Sequence, residues 1–309
     1  MNAEGAIGSA RAHAPPAAQR RFGAVEWGLT AVLALVWGAS FLFIRVGIDA
    51  FGSGLVPPLR ILFGAAALGS FARSRRPIAR EDLGRVALLG FLWMALPFLL
   101  FSIAERTVST AVTGMINGAT PLSSAAVFAL WQRRRPSARR AAALLAGFAG
   151  VSVVAFAATG AAHGTADVPG VVMLFGAIAC YGVSANIAPA LQQKYGAMPV
   201  IFRAQFVAFA LSLPYGLWAL RTAHFSWVGL FAMVFLGALG TGIAYAILAT
   251  LVGRTDSTRG TIGVFLTPIV ATLLGVFVRH EDLSSWTFVG SALIVAGAFL
   301  TSRPERAGP

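Results

Sequence analysis

Residues 254–300 read RTDSTRGTIGVFLTPIVATLLGVFVRHEDLSSWTFVGSALIVAGAFL. Two apolar segments, about 262–278 and 286–301, flank a short charged turn, Arg279-His280-Glu281-Asp282. The first segment carries Thr267-Pro268 and the second is rich in small residues. An earlier stretch repeats this pattern. Arg106-Thr107-x-Ser109-Thr110 matches Arg254-Thr255-x-Ser257-Thr258 at a separation of 148 residues. Thr120-Pro121 matches Thr267-Pro268, and Gly150 matches Gly297, both at 147. Further out, Trp37-Gly38-Ala39-Ser40 echoes Tyr181-Gly182-Val183-Ser184, and Phe51-Gly52 echoes Tyr195-Gly196, both at 144, while Arg60 answers Arg203 at 143. A near-constant offset over such distances reads as one hydrophobic unit duplicated.

Composition sets the environment. The chain is 57% hydrophobic and only 11% charged, with a mean hydropathy of +0.77, whereas soluble domains sit near 25% charged. The net charge of +13 invites a nucleic-acid reading. A basic binding face, however, needs a soluble surface with interleaved aromatics. Here the arginines cluster in short loops between apolar runs, which is membrane topology. The single cysteine, Cys180, lies in an apolar run and offers no disulfide framework.

Ten apolar runs follow one another at about 27–47, 55–72, 83–104, 107–131, 140–158, 168–191, 199–220, 227–252, 262–278 and 286–301. Each is near the roughly 20 residues that a helix needs to cross a bilayer. They are continuously apolar, where barrel strands would alternate. The predicted fold is therefore an all-α integral membrane protein of ten transmembrane helices. The units are a five-helix repeat over 27–158 and a second over 168–302, with tails at 1–26 and 303–309. The first tail lacks the apolar stretch and cleavage site of a signal peptide and reads as disordered. With the N-terminus inside, the inner segments hold 18 of the 24 Lys and Arg, the outer loops three, and three fall within spans. That split places both termini in the cytoplasm and the chain in the cytoplasmic membrane. Five spans per copy is odd, so the second copy enters from the opposite face and the repeats are inverted, an arrangement that supports alternating access.

The WGASF opening of the first span, the arginine at Arg60 and the ending TP…RHEDLS…G…L…AG resemble the EamA-type branch of the drug/metabolite transporter superfamily over about residues 27–302. The resemblance implies ten spans in two inverted repeats, a small organic solute as substrate and frequent movement outward. No cofactor is expected. One departure stands in the first copy. There the arginine run Arg133–Arg135 occupies the acidic turn, with Arg134 aligned to Glu281.

Intramembrane polar groups are where transport chemistry should show, because each is costly without a partner or a wet cavity. Thr113, Asn117, Thr120 and Ser124 fall on one face of a continuous helix. That face would line a pathway and bind substrate, or it would hydrogen-bond neighbouring helices. Trp37 and Ser40 in the first span, with Tyr181, Ser184 and Asn186 in the sixth, form a second substrate-binding set; Tyr245 and Thr267 complete it. Arg60 either joins them or snorkels to headgroups, as Arg203 is expected to do, while Arg45 anchors the end of span 1. Gly114 and Gly118 read as a packing face. Pro121 and Pro268, each mid-span, are the expected hinges, with equivalent breaks in the fourth and ninth spans. No Asp or Glu lies mid-membrane, and no metal or nucleophile constellation appears, so neither a metal site nor an active site is expected. Glu105 is the nearest candidate for ion coupling, with an ion pair to Arg106 as its bland alternative. The expected partners are a small-molecule substrate and the lipid bilayer, not nucleic acid. A membrane enzyme or a non-transporting subunit is the competing class.

Overall fold

The computed structural model describes residues 23–131, 133, 136–160, 166–254 and 262–302. Residues 1–22 and 303–309, Arg134, the His163 loop and the Thr255–Thr258 copy of the repeated motif lie outside those residues, and the expected first tail ends early, since α1 already begins at Ala24. The helices are α1 (Ala24–Phe51), α2 (Val56–Gly69), α3 (Arg80–Ala104), α4 (Thr110–Asn117), α5 (Thr120–Trp131), α6 (Ala138–Thr159), α7 (Val168–Tyr195) and α8 (Ala197–Ala219). Trp227–Val234, Phe235–Ile243 and Ala244–Arg254 run on as α9, followed by α10 (Ile262–Arg279) and α11 (Ser285–Ser302). No strand occurs among the described residues. A backbone without water must satisfy its own polar groups, and a helix does so within one segment.

Six helices are each long and apolar enough to cross a membrane: α1, α3, α6, α7, α8 and the Trp227–Leu248 part of α9. Shorter apolar helices are Val56–Gly69, Gly263–Arg279 and Ser285–Thr301. The outer surface is apolar, with Phe156, Leu130, Phe231 and Phe277 well exposed. Of seven tryptophans, five (Trp27, Trp131, Trp218, Trp227 and Trp286) are exposed at helix ends. That is where an indole rests between lipid and water.

Local chemistry fixes the helix boundaries. Ser109, Ser137, Asp167 and Ser226 each accept an amide of the following first turn, satisfying a donor with no partner inside the helix. Gly52 (φ 75°) and Gly196 (φ 86°) end α1 and α7 in backbone conformations that disfavour any Cβ. The repeat matches these two glycines to each other.

The helices pair reciprocally. α1 packs on α10 and α7 on α5; α2 packs on the central segment of α9 and α8 on that of α3. α4 meets α10, and α6 meets α11. Glycines set the closest approaches. A Cβ on Gly150 would run into the Gly290 carbonyl, and one on Gly297 into the backbone of Ala143 and Gly147. Gly114 is closed off by Ala271, and Gly118 by the Pro268 ring. The Gly114/Gly118 face is thus a packing face, as small residues are in membrane bundles.

The turns after α1, α3, α8 and α10, with Asp167 at the start of α7, gather at one end, remote from residue 24. Arg45 reaches the Glu105 carbonyl there (2.6 Å), Thr107 pairs with Asp167 (2.7 Å), Ser53 with Tyr215 (3.2 Å) and Arg279 with Asp49 (3.3 Å). At the near end Lys194 bridges Glu81 and Asp82 at 3.0 and 2.8 Å. The largest buried apolar cluster, including Phe41, Phe101, Val108, Val112 and Met233, lies toward the far end.

Two features correct the expected helices. The fourth span is not continuous: α4 stops at Asn117 and α5 starts at Thr120. Pro121 stands second in α5, where a proline is well tolerated because the first-turn amides have no partner within their own helix; without an N–H it cannot extend α4 by bonding the Asn117 carbonyl. Pro268, by contrast, lies inside unbroken α10. The breaks are therefore not equivalent. Val264, whose carbonyl the missing Pro268 N–H would have reached, lines an internal cavity, and such a carbonyl is tolerated beside one.

A central aromatic cavity

A cavity of about 200 Å³ lies among α1, α2, α3, α4, α5, α7, α9 and α10. Seven rings line it: Trp37, Phe41, Trp93, Phe98, Phe101, Tyr181 and Tyr245. Trp37 and Trp93 each meet Tyr245 edge-on, with centroids 6.0 and 5.3 Å apart. Phe101 stacks on Tyr181 at 5.8 Å and touches Phe41 at 5.9 Å. Its polar lining is Ser40, Arg60, Asn117, Thr120 and Thr267, together with the polar atoms of the Trp and Tyr rings. No carboxylate lines it among the described residues.

Irregular backbone builds the polar side. Gly90–Ala95 in α3 and Phe235–Ile243 in α9 are wound as π-helix, a form that often marks functional positions. In α9 the Gly240 carbonyl accepts the Trp37 indole N–H at 3.0 Å. Thr241 donates its hydroxyl to Leu236 O at 3.1 Å and accepts Nε–H of Arg60 at 2.8 Å. Arg60 is 8% exposed, and its guanidinium carbon lies 3.8 Å from the centroid of the Phe98 ring, a cation–π contact. It does not snorkel. Arg203, its repeat partner, does point away from the cavity, toward the carbonyls of Ser74 and Arg75.

The α4–α5 break places Asn117 and Thr120 on the cavity. Thr120 Oγ1 donates to Asn117 O at 2.7 Å, taking the carbonyl that a residue other than Pro121 would have bonded. Trp37, Ser40, Arg60, Asn117, Thr120, Tyr181, Tyr245 and Thr267 thus surround one space. Three expected residues do not. The hydroxyls of Thr113 and Ser184 turn back to Ser109 O and Cys180 O, and Asn186 Nδ2 spans Ser124 O and Gly182 O. Of the expected Thr113–Ser124 stripe only Asn117 and Thr120, which flank the α4–α5 break, line the cavity. Phe41, Trp93, Phe98 and Phe101 were missed, since 23 phenylalanines carry no mark separating cavity from lipid. Trp93 had a signal, the same amphipathic ring within an apolar run that marked Trp37.

At the far end the charges interlock. Asp49 pairs with Arg45 and with Arg279 of the other half, at 3.1 and 3.3 Å. Glu281 accepts the Thr110 and Ala111 amides at 2.7 and 2.9 Å. A second cavity, about 210 Å³, is lined by Arg45, Arg106, Arg279, Glu281 and residues 107–110. The expected Glu105–Arg106 pair is absent. Glu105 is fully buried, and neither carboxyl oxygen has a hydrogen-bond partner among the described residues.

The EamA-like transporter family model matches residues 26–156 and again 168–303. The chain belongs to that family. Among similar proteins, an uncharacterized transporter, YdfC, of Bacillus subtilis (strain 168) is 24% identical over 86% of this chain and 87% of its own. A probable terminal-alkyne amino-acid exporter of Streptantibioticus cattleyicolor is 25% identical over 90% and 93%. A solved crystal structure shares the fold with a TM-score of 0.60 at 20% identity, covering 89% of this chain and 96% of that one.

Proposed function

We propose that this EamA-like chain is a secondary transporter exporting a small amphipathic carboxylate, such as an amino acid with an apolar side chain, across the cytoplasmic membrane. The central cavity is its substrate site. The observation that carries the reading is Arg60, a buried cation in an aromatic cavity without a lining carboxylate. Only its Nε is engaged by a protein acceptor among the described residues. The terminal nitrogens are then available to a carboxylate, which a guanidinium holds by two parallel bonds. The seven rings suit an apolar body, and Asn117, Thr120 and the Tyr hydroxyls orient it. The amino-acid exporter among the relatives supports the same class.

Alternating access supplies the movement. Ten crossings arise when α4 and α5 together count as one and the three shorter helices each count as one. The reciprocal pairing of α1 with α10 and α7 with α5, and the matched π-segments of α3 and α9, support two inverted halves rocking about the cavity. The 18-to-3 division of basic residues supports cytoplasmic termini, so the far end faces outward. Pro121 and Pro268 serve as flexible points.

The test is binding to purified protein. Radiolabelled phenylalanine should bind and be displaced by apolar monocarboxylates but not by phenethylamine. Displacement by the amine with no response to the carboxylates would overturn the reading.

A further inference from the structure

The proposed transport reading leaves one buried group unused. Glu105 caps the C-terminal end of α3, one turn beyond Phe101 of the central cavity and beside Arg106 of the outer one. Its neighbours Ala104, Val108, Thr110, Ala111 and Val112 are all at most 1% exposed, so this layer closes the far end over the central cavity. The charged groups around it come from several elements. Arg45 and Asp49 belong to α1, Arg60 to α2, Asp167 to the start of α7, and Arg279 and Glu281 to the other half. None takes its carboxylate. Arg45 uses one nitrogen on the Glu105 carbonyl and another on Asp49, and Glu281 is committed to the α4 amides. An ionised carboxylate buried without a partner is strongly disfavoured, so the closed layer holds a neutral acid.

We propose that Glu105 is a proton-binding site that latches the outer seal: the far end closes over the carboxylic acid and opens as that acid loses its proton. On opening, the O–H bond breaks, the proton passes to external water, and the carboxylate left behind gains Arg45 as a partner. On closing, water returns the proton and Arg45 relaxes onto Asp49 and the backbone. Burial first, then the nearby Glu281 carboxylate, push Glu105 well above the ordinary carboxylate range, against the lowering pull of Arg45 and Arg60. The sign follows. The closed layer binds the proton more tightly than the open one. Its preference is fully present below the open-state pKa and is lost as pH rises toward the closed-state value, by up to about tenfold per pH unit.

The test rests on the transporter reading for its meaning but uses no solute. Ala104→Cys is placed in a Cys180→Ser background and labelled with a membrane-impermeant maleimide from outside intact cells. Rates are divided by those of Thr222→Cys, an exposed site that corrects for thiol chemistry. The expected result is a normalised rate that rises severalfold from mildly acidic to mildly alkaline medium. With Glu105→Gln, a shape-matched stand-in for the neutral acid, the rate should stay at its acid level, and Glu105→Asp should restore the rise. A rise that persists unchanged in Glu105→Gln, no rise in the parent, or a rise that follows sodium rather than pH would each overturn the latch. Infrared spectra of the purified protein supply the second readout: a carboxylic-acid band present at acid pH must vanish in Glu105→Gln. A gate that responds through Glu105 in a protein that binds no carboxylate supports the latch and sinks the substrate reading, so the two failures are separable.

Discussion

The carboxylate of Glu281 caps the helix that begins at Thr110, accepting the Thr110 and Ala111 amides at 2.7 and 2.9 Å. The two residues belong to different repeats, so one side chain ties the halves together across the far end. A negative charge there also complements the helix dipole. Glu281→Ala should destabilise the purified protein by about 2 kcal/mol, the upper range for losing a helix cap, read as a fall in melting temperature in detergent. Gly275 lets this carboxylate in, since a Cβ there would collide with Glu281 Oε2. Gly275→Ala should therefore destabilise too, and the double variant should lose less than the sum, as expected of coupled neighbours. Full additivity would show that Gly275→Ala acts without displacing the Glu281 carboxylate.

Arg60 gives a prediction about affinity. Its substitution by Gln removes the only cation lining the cavity among the described residues. Binding of a carboxylate probe should weaken by at least tenfold, about 1.4 kcal/mol. Arg60→Lys keeps the charge but loses the Phe98 contact and the fork that reaches Thr241, so it should rescue only in part. Equal probe affinity in all three proteins, measured by scintillation proximity, would remove Arg60 from the site.

The two asparagines should separate. Asn117 lines the cavity, whereas Asn186 fastens α7 to α5 through Ser124 O at 3.0 Å. Asn186→Leu should lower stability by about 1 kcal/mol, the scale of an interhelical hydrogen bond in membranes, and leave affinity near that of the parent. Asn117→Leu should do the reverse. Paired thermal-shift and binding measurements decide the matter, and a common phenotype would contradict the geometry.

What the sequence could and could not reveal has a physical basis. The helical, membrane-embedded character follows from long apolar runs, which tolerate little else. Gly52 and Gly196 were legible because a positive φ demands a residue type that recurs at a fixed offset. Eight of the eleven expected substrate contacts surround one cavity, because a polar or amphipathic side chain in an apolar run must face something other than lipid. The three misplaced residues find their partners in helix backbone: Thr113 and Ser184 bond the carbonyl four residues back, as Ser40 and Thr267 do on the cavity wall, and Asn186 also bonds across a helix interface. Local hydrogen bonds of this kind are invisible in a residue pattern. The π-segments were equally hidden, although each holds a glycine at a close helix approach, Gly237 against Arg60 O and Gly90 against Ala204 O.

The prolines give the last prediction, now an asymmetric one. At Pro121 the chain is already broken, and Thr120 Oγ1 holds the Asn117 carbonyl at 2.7 Å. Pro121→Ala would introduce an N–H competing for that carbonyl, fusing α4 to α5 and turning Asn117 off the cavity. At Pro268 the helix runs through, and the ring is wedged against Gly118, where α4 ends. Pro268→Ala would give Val264 O its donor and stiffen α10, while removing the wedge that faces the break. Both variants should slow turnover at saturating substrate, with Pro121→Ala the slower because it closes an existing joint. Pro121→Ala should weaken binding more, since it turns Asn117 off the cavity, whereas Pro268→Ala leaves Val264 and Thr267 in a helix that is already continuous. Single-turnover and steady-state transport in proteoliposomes separate the two effects. Parent-like rates in both variants would show that the rocking motion bends elsewhere.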